Sequence, residues 1–181
     1  MTDLKRLNTA VAEFNDWLSS ADHDHVENQA PKYAIITCSD SRVDLAHLLW
    51  ENSYNKIFGI ENAGNHVWIE NLWTASYALE HLHVELLLVL WHSTCGACNY
   101  AFNTRWVKAE KHLDTELADI KRLAMECDSE KELEIRNVQM QVEKLKAEFP
   151  EYIDRIWWAY YDLEEKKVYP IFDWEVKELD K

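Results

Sequence analysis

The sequence predicts an α/β fold in which helices flank a mostly parallel β-sheet of about four strands plus a C-terminal strand. Short apolar segments that suit buried strands alternate with longer helix-favouring segments, which is the pattern of a parallel sheet. The chain has 181 residues, 48% of them hydrophobic, and nine tryptophans that need a packed interior. We therefore expect one domain over 1–181, with a helical arm at 1–30 and an α/β core at 31–181.

In the first half of the chain, helical and strand-like segments follow one another. The arm has apolar residues at helical spacing, namely Leu4, Leu7, Val11, Phe14 and Leu18. A polar loop ends at Pro31. The predicted elements are a helix at 3–18, a strand at 33–37, a brief helix at 45–49, a strand at 56–60, a helix at 68–83 and a strand at 85–91.

The second half begins with a charged, helix-favouring region at 106–149, which we interpret as two helices separated near Cys127. Ser129, with Glu132 three residues later, predicts a capping box at the start of the second of these helices. The segments 155–163 and 168–172 flank a charged turn and predict a C-terminal hairpin.

Charge and hydropathy exclude two classes of partner. The formal net charge of −14 disfavours nucleic acid and anionic membrane surfaces, because both require a concentrated basic surface. The sequence has no apolar run of the length that spans a bilayer, and MTDLKRLNTA lacks the apolar centre of a secretory signal. The four cysteines are then expected to be thiols or metal ligands, in a cytoplasmic protein.

Cys38 and His92 each follow a predicted strand directly, and Cys95 lies three residues after His92. The carboxyl ends of parallel strands meet at one edge of a sheet, where ligands bind in open α/β sheets. Two thiolates and one imidazole suit Zn²⁺, and three protein ligands leave the fourth position open, as in catalytic zinc sites. Taken singly, each of these residues is more typical of a buried structural residue, and only their combination favours a metal site.

Asp40 and Arg42 extend this pattern, because alternate residues of an extended segment face the same way. An aspartate next to Cys38 either ligates the metal or accepts a hydrogen bond beside it, and Arg42 can hold that carboxylate in a bidentate pair. The alternative is an exposed ion pair of little energetic weight.

Cys95-Gly96-Ala97-Cys98 is also a C-x-x-C sequence between a strand and a helix, which is typical of thioredoxin-like redox proteins. Such sites use a cis-proline further along the chain, whereas no proline occurs between Pro31 and Pro150. The redox interpretation also leaves Asp40 and Arg42 without a role, so we favour the zinc site.

The segments CSDSR at 38–42 and HSTCG at 92–96 resemble the two metal motifs of the β-class carbonic anhydrases. The resemblance continues in the NAGN sequence at 62–65, in NVQMQVEKL at 137–145 and in the terminal hairpin, so that it covers about 30–172 in the family's order. It implies one Zn²⁺ per subunit on Cys38, His92 and Cys95, with Asp40 as a fourth ligand only in a closed state and paired with Arg42 in an open one.

The resemblance further implies a zinc lyase of the carbonate dehydratase type, in which zinc-bound hydroxide hydrates carbon dioxide to bicarbonate and a proton. It also implies a homo-oligomer, a dimer or tetramer, whose N-terminal helices embrace the neighbouring subunit. By residue type alone, the candidates to carry the proton are His23, His25, His47 and His66.

The sequence departs from the family at several loop positions. Trp91 stands where a glycine usually precedes the zinc histidine, and Ala97 and Cys98 follow Gly96. Glu61 stands where an arginine or lysine commonly precedes the NAG segment in the family. Trp157-Trp158 stands where the family's late strand usually contains a glycine. We expect these side chains to reshape the pocket. Hydrolysis of carbonyl sulfide or carbon disulfide at the same zinc, or a non-catalytic zinc-binding homologue, therefore remain alternatives.

Overall fold

The computed structural model describes residues 8–9, 11–13, 15–16, 26–48, 54–107 and 112–170, and a five-stranded sheet forms its centre. The strands are β1 (Tyr33–Cys38), β2 (Ile57–Asn62), β3 (Leu86–His92), β4 (Ile156–Asp162) and β5 (Lys167–Pro170). Their order is β2-β1-β3-β4-β5, with the first four parallel and β5 antiparallel to β4. The predicted fold class is confirmed.

Helices connect the parallel strands. They are α1 (Leu45–Leu48), α2 (Ile69–Ser76), α3 (Gly96–Thr104), α4 (His112–Glu116), α5 (Ala118–Ala124) and α6 (Glu130–Glu148). A π-helical turn, Tyr77–His81, extends α2, and a 3₁₀ turn, Pro150–Arg155, precedes β4. The prediction of one helix over 68–83 is thus correct in extent, but its last turn has the wider π geometry, in which the Leu82 N–H bonds the carbonyl of Tyr77.

The main core lies between one face of the sheet and the helices α2 and α6. In β3 the alternate residues Leu87, Val89 and Trp91 belong to this core, together with Val138 and Val142 of α6. Leu88 and Leu90 of the same strand belong instead to a smaller cluster on the opposite face of the sheet. The period of two in β3 therefore divides its side chains between two apolar layers.

A third cluster lies at the carboxyl ends of β1 and β3, where α3 and α5 pack. It contains the thiols of Cys38, Cys95 and Cys98 together with Leu117 and Ile120. This end of the sheet is consequently dry and densely packed around sulfur atoms. A dry environment of this kind sets the geometry and the acidity of the candidate site described below.

The start of α6 differs in detail from the predicted capping box. The Ser129 Oγ accepts a hydrogen bond from the Glu132 N–H at 3.1 Å, as predicted. The Glu132 carboxylate, however, accepts from the N–H of Asp128 rather than from that of Ser129. The chain enters the helix through an extended Ser129, which places Asp128 within reach.

The predicted N-terminal helix is present in the part of it that the structure describes, since residues 8–9, 11–13 and 15–16 are helical. Leu4, Leu7, Phe14 and Leu18 lie outside the described residues, as do His23 and His25 and the end of the predicted hairpin beyond Pro170. None of the helices formed by the described residues is both long and apolar enough to cross a bilayer.

Candidate metal centre

The ligand atoms of Cys38, His92 and Cys95 lie within 4.8 Å of one another at the carboxyl edge of the sheet. Parallel pairing of β1 with β3 produces this proximity, because Thr37 pairs with Leu90 and both strands end within two residues of that pair. Cys38 is 5% exposed, and the other two side chains are fully buried. Three soft donor atoms thus converge in a desolvated space.

Cys38 is held by the loop that follows β2. The N–H of Gly64 donates to the Cys38 Sγ at 3.4 Å, a contact that favours a thiolate at this position. Gly64 has φ 73°, and a Cβ atom there would lie 3.1 Å from both the Ala97 Cβ and the Ile120 Cδ1. This position therefore requires glycine for its backbone conformation and for the close approach of α3 and α5.

His92 is oriented by its own turn. Its Nδ1 lies 2.9 Å from the carbonyl oxygen of Ser93, which assigns the proton to Nδ1. The Nε2 atom is buried and has no hydrogen-bond partner among the described residues. A buried, unpaired imidazole nitrogen is unfavourable unless an electrophile occupies the space it faces. This lone pair points to a metal ion.

Cys95 is the N-cap residue of α3, yet its side chain makes no capping hydrogen bond. Its backbone N–H donates to the Glu134 Oε1 at 2.8 Å. Its Sγ lies 4.0 Å from the Cys38 Sγ. The thiol is thus directed towards the other two ligands, while the carboxylate of α6 satisfies the backbone.

These distances fit a tetrahedral zinc ion. Zn–S bonds of about 2.3 Å at tetrahedral angles separate two sulfur atoms by about 3.8 Å. The observed 4.0 Å between the two thiols is close to that value. A donor set of two sulfur atoms and one imidazole nitrogen binds zinc in preference to harder cations, which favour oxygen ligands.

Asp40 and Arg42 lie beside these ligands and pair with each other. The Arg42 guanidinium donates from Nε to the Asp40 Oδ1 at 2.8 Å and from Nη2 to Oδ2 at 2.7 Å. The Asp40 Oδ2 is also 3.9 Å from the His92 Nε2. The carboxylate therefore borders the space that the three ligands enclose, while the guanidinium engages both of its oxygens.

The environment shifts the pKa values of the ionisable groups at this site in opposite directions. The Arg42 hydrogen bonds lower the pKa of Asp40 to about 2. The hydrogen bond with Cys95 and burial raise the pKa of Cys38 to about 12. For Cys95, a bond with Cys38 lowers the pKa, but contact with Cys98 and burial outweigh it and raise the pKa to about 12. Burial raises the pKa of Glu134 to about 7.

Cys98 does not join the group of three. It is fully buried in the cluster formed with α5, and its Sγ lies 3.9 Å from the Asn137 Nδ2. Trp91, expected to reshape the pocket, is 2% exposed and packs at 4.4 Å from the Tyr160 ring in the main core. Its position in β3 thus places the side chain in the layer beneath α6.

Of the histidines proposed as proton carriers, His66 is fully buried, with neither ring nitrogen hydrogen-bonded among the described residues. Its Nε2 is 3.8 Å from the Asp119 Oδ2. A side chain sealed in this way does not exchange protons with solvent directly.

The sequence did not lead us to Thr94 or Glu134, although both contact the candidate site. Glu134 had a signal that was overlooked. Polar residues recur with Val138 and Val142 on the buried face of α6, namely Glu134, Asn137 and Gln141. Polar side chains on a buried helix face require partners, and partners at a ligand loop indicate a site. For Thr94 no sequence signal existed, because threonine does not favour its left-handed φ of 53°.

Comparison with known proteins identifies the family. A sequence model of the family described as carbonic anhydrase matches residues 33–159, which is more than half of the chain. Carbonic anhydrase 2 of Mycobacterium tuberculosis strain H37Rv is 36% identical over 73 residues, covering 40% of this chain and 35% of that protein. The carbonic anhydrase of Synechocystis is 32% identical over 104 residues, covering 52% and 38%. The matches thus span little more than a third of these relatives.

Solved structures agree on the fold. A tetrameric β-carbonic anhydrase of Sordaria macrospora superposes with a TM-score of 0.72 at 23% identity, covering 93% of this chain and 98% of the other. The Coccomyxa β-carbonic anhydrase in complex with acetazolamide gives 0.75 at 22%, covering 96% and 88%. Taken with the family match and the convergence of Cys38, His92 and Cys95, these comparisons establish that the chain belongs to the β-carbonic anhydrase family.

Proposed function

We propose that this protein catalyses the reversible hydration of carbon dioxide to bicarbonate and a proton, with one Zn²⁺ per chain held by Cys38, His92 and Cys95. The observation that carries the proposal is the position of the Asp40 carboxylate, 3.9 Å from the His92 Nε2 and fixed there by Arg42. A purely structural zinc site needs neither residue.

A zinc ion in this position would supply a Lewis acid that lowers the pKa of a water molecule to near neutrality and so provides a nucleophile for carbon dioxide. The protein contributes orientation. Asp40 remains ionised at any working pH because Arg42 holds its pKa at about 2, so that it acts only as a hydrogen-bond acceptor. Arg42 also restrains the carboxylate from becoming a fourth ligand, which is the closed state of the site.

The test measures zinc content and carbon dioxide hydration by stopped flow, with and without a chelator, alongside carbonyl sulfide and carbon disulfide hydrolysis. We expect hydration that is lost with the metal and restored by Zn²⁺. Zinc binding without any hydration up to about pH 9 would favour the sulfur substrates if they are turned over, and a non-catalytic homologue if they are not. Hydration by a metal-free Cys38→Ser variant would exclude the zinc assignment.

We also propose that the chain works as a homo-oligomer, a dimer or tetramer, in the cytoplasm. An exposed apolar stripe on α2 and its π turn supports the first proposal, formed by Ile69, Trp73 and Tyr77, of which Trp73 is 67% exposed. The β-carbonic anhydrase of Sordaria macrospora, which shares the fold, is tetrameric. Analytical ultracentrifugation of the full chain tests this, and a monomer at micromolar concentration would contradict it.

A further inference from the structure

The turn between the two metal motif residues His92 and Cys95 has a backbone conformation that its sequence does not favour. Thr94 has φ 53°, in the left-handed region that β-branched residues avoid. The turn nevertheless must hold two of the three candidate ligands at fixed positions. A conformation that is unfavourable by itself persists only where surrounding contacts impose it. The contacts around Thr94 therefore determine where those ligands lie.

Arg42 holds one side of this turn. Its Nη2 donates to the Thr94 carbonyl oxygen at 3.1 Å, and its Nη1 lies 3.4 Å from the Thr94 Oγ1. The same guanidinium binds Asp40. The residue that positions the carboxylate thus also fixes the turn, but its side chain is half exposed and reaches the turn only from the solvent side.

Glu134 holds the opposite side. Its Oε1 accepts the Cys95 N–H at 2.8 Å, and the backbone of Thr94 lies close enough to this carboxylate to favour its ionised form. The side chain is 5% exposed, and among the described residues no basic side chain forms an ion pair with it. Burying a carboxylate on backbone donors alone is unfavourable compared with an apolar residue of similar size.

The geometry explains why an acceptor from another helix is used here. Cys95 is the N-cap residue of α3. A side chain at this position normally accepts a hydrogen bond from the first turn, but the Cys95 thiol is directed to the ligand set. Glu134 brings a hydrogen-bond acceptor to this helix start from a different helix. Next on the same face of α6, Asn137 donates to the Gly64 carbonyl at 3.0 Å, and the Gly64 N–H contacts the Cys38 Sγ. One buried helix face thus supports both ligand-bearing loops.

We propose that Glu134 is a positioning residue: it holds the Thr94–Cys95 backbone against α6 so that the Cys95 and His92 donor atoms face Cys38. The proposal rests on the proposed zinc site, and it concerns the position of an acceptor atom rather than the presence of a charge. The proposal therefore predicts an order of Zn²⁺ affinities among Glu134 variants. A variant that keeps the acceptor atom in place should bind Zn²⁺ more tightly than one that keeps the negative charge but moves the acceptor.

The experiment measures the Zn²⁺ dissociation constant by chelator competition and the absorption spectrum of the Co²⁺-loaded protein. Glu134→Gln keeps an acceptor at the same reach without the charge, whereas Glu134→Asp keeps the charge but withdraws the acceptor by one methylene. We expect Glu134→Asp to weaken Zn²⁺ binding by about 10–100-fold and to alter the thiolate-to-cobalt bands, and Glu134→Gln to change the dissociation constant by less than about tenfold. Glu134→Met should resemble Glu134→Asp.

The matched control is Glu130→Gln on the same helix, whose carboxylate accepts from the Asn99 Nδ2 at 2.8 Å and contacts no ligand. It should bind both metals as the wild type does. Thermal unfolding of the metal-free variants identifies any that do not fold. If Glu134→Met does not fold, the comparison of Glu134→Gln with Glu134→Asp is sufficient to test the proposal.

Wild-type affinity and an unchanged cobalt spectrum in both folded variants would overturn the inference, as would a weaker site in Glu134→Gln than in Glu134→Asp, since that order indicates a charge effect. These outcomes leave the proposed function intact. Failure of the wild type to bind Zn²⁺ or Co²⁺ would instead overturn the proposed function, and the inference with it.

Discussion

Arg42 is the residue whose contacts join the two metal motifs. It binds both oxygens of Asp40, two residues away, and the carbonyl and hydroxyl oxygens of Thr94 in the other motif. Only a planar, forked donor can bind a carboxylate through two parallel hydrogen bonds and still reach a second group. The side chain therefore acts by its shape as well as its charge.

This argument predicts that Arg42→Lys is not a conservative substitution. A lysine ammonium lacks the bidentate geometry, which leaves Asp40 free to approach the ligand set. We expect the zinc content under saturating Zn²⁺ to stay at the wild-type value while kcat/KM for carbon dioxide hydration falls by about 10–100-fold, measured by stopped flow near pH 7. Arg42→Ala should be at least as severe. A fully active Arg42→Lys enzyme would show that charge alone suffices.

A second prediction at this scale concerns His66, which is buried next to a cluster of charges and has no hydrogen bond to its ring nitrogens among the described residues. Its pKa is lowered to about 4 from an ordinary 6.5, mainly by burial and then by Lys144, against the opposing effect of Asp119. Lys144 and Arg122 both bind that aspartate, and Trp68 packs edge-on against the imidazole ring.

Between pH 6.5 and pH 4 the unfolded chain therefore binds a proton at His66 that the folded chain does not, so stability falls as the pH falls through this range. We expect His66→Phe to reduce the loss of unfolding free energy between pH 6.5 and pH 5 by up to about 2 kcal/mol. Urea titrations at both pH values measure it, with exposed His81→Gln as the control. An equal decline in wild type and His66→Phe would exclude this role.

At the scale of elements, the sequence predicted the strands well because each is a short apolar run with clear ends. Cys38 and His92 were correctly expected at strand ends for the same reason, since parallel strands share an edge. The environment of Trp91 depends instead on which face of the sheet its side chain points to, and on the helix α6, far along the chain, that covers that face. The size of the Trp91 side chain alone did not indicate on which face of the sheet it would pack.

Helix α6 depends on its first turn, where the Ser129 Oγ accepts the Glu132 N–H. Ser129→Ala removes this acceptor, and we expect a loss of about 1 kcal/mol in unfolding free energy, largely recovered in Ser129→Asp. Chemical denaturation measures both. Because Glu134 lies in the second turn of the same helix, fraying there should also weaken Zn²⁺ binding modestly. Unchanged stability in Ser129→Ala would mean that tertiary packing alone holds this end.

At the scale of the whole molecule, the proposed metal site would couple metal binding to folding through its thiols. The candidate ligands come from β1, from the end of β3 and from the start of α3, so only the folded chain presents them together. A metal that binds the folded state preferentially stabilises it by mass action. We expect saturating Zn²⁺ to raise the unfolding temperature of the wild type and to have no such effect in Cys38→Ser.

The same coupling predicts how zinc affinity depends on pH. Without metal, Cys38 and Cys95 each have a pKa of about 12, so both are protonated at neutral pH, whereas zinc binds thiolates. The two thiols should therefore contribute two of the protons released on binding, beside the one that a zinc-bound water of near-neutral pKa would lose. The apparent affinity should accordingly rise by at least about 100-fold per pH unit between about pH 7.5 and pH 9. Calorimetry in buffers of different ionisation enthalpy measures the protons directly. Release of fewer than two protons would mean that one thiol is already ionised in the metal-free protein or is not a ligand. Zn²⁺ affinity in Cys38→Ser and Cys95→Ser separates these two explanations, because it falls only where the replaced thiol is a ligand.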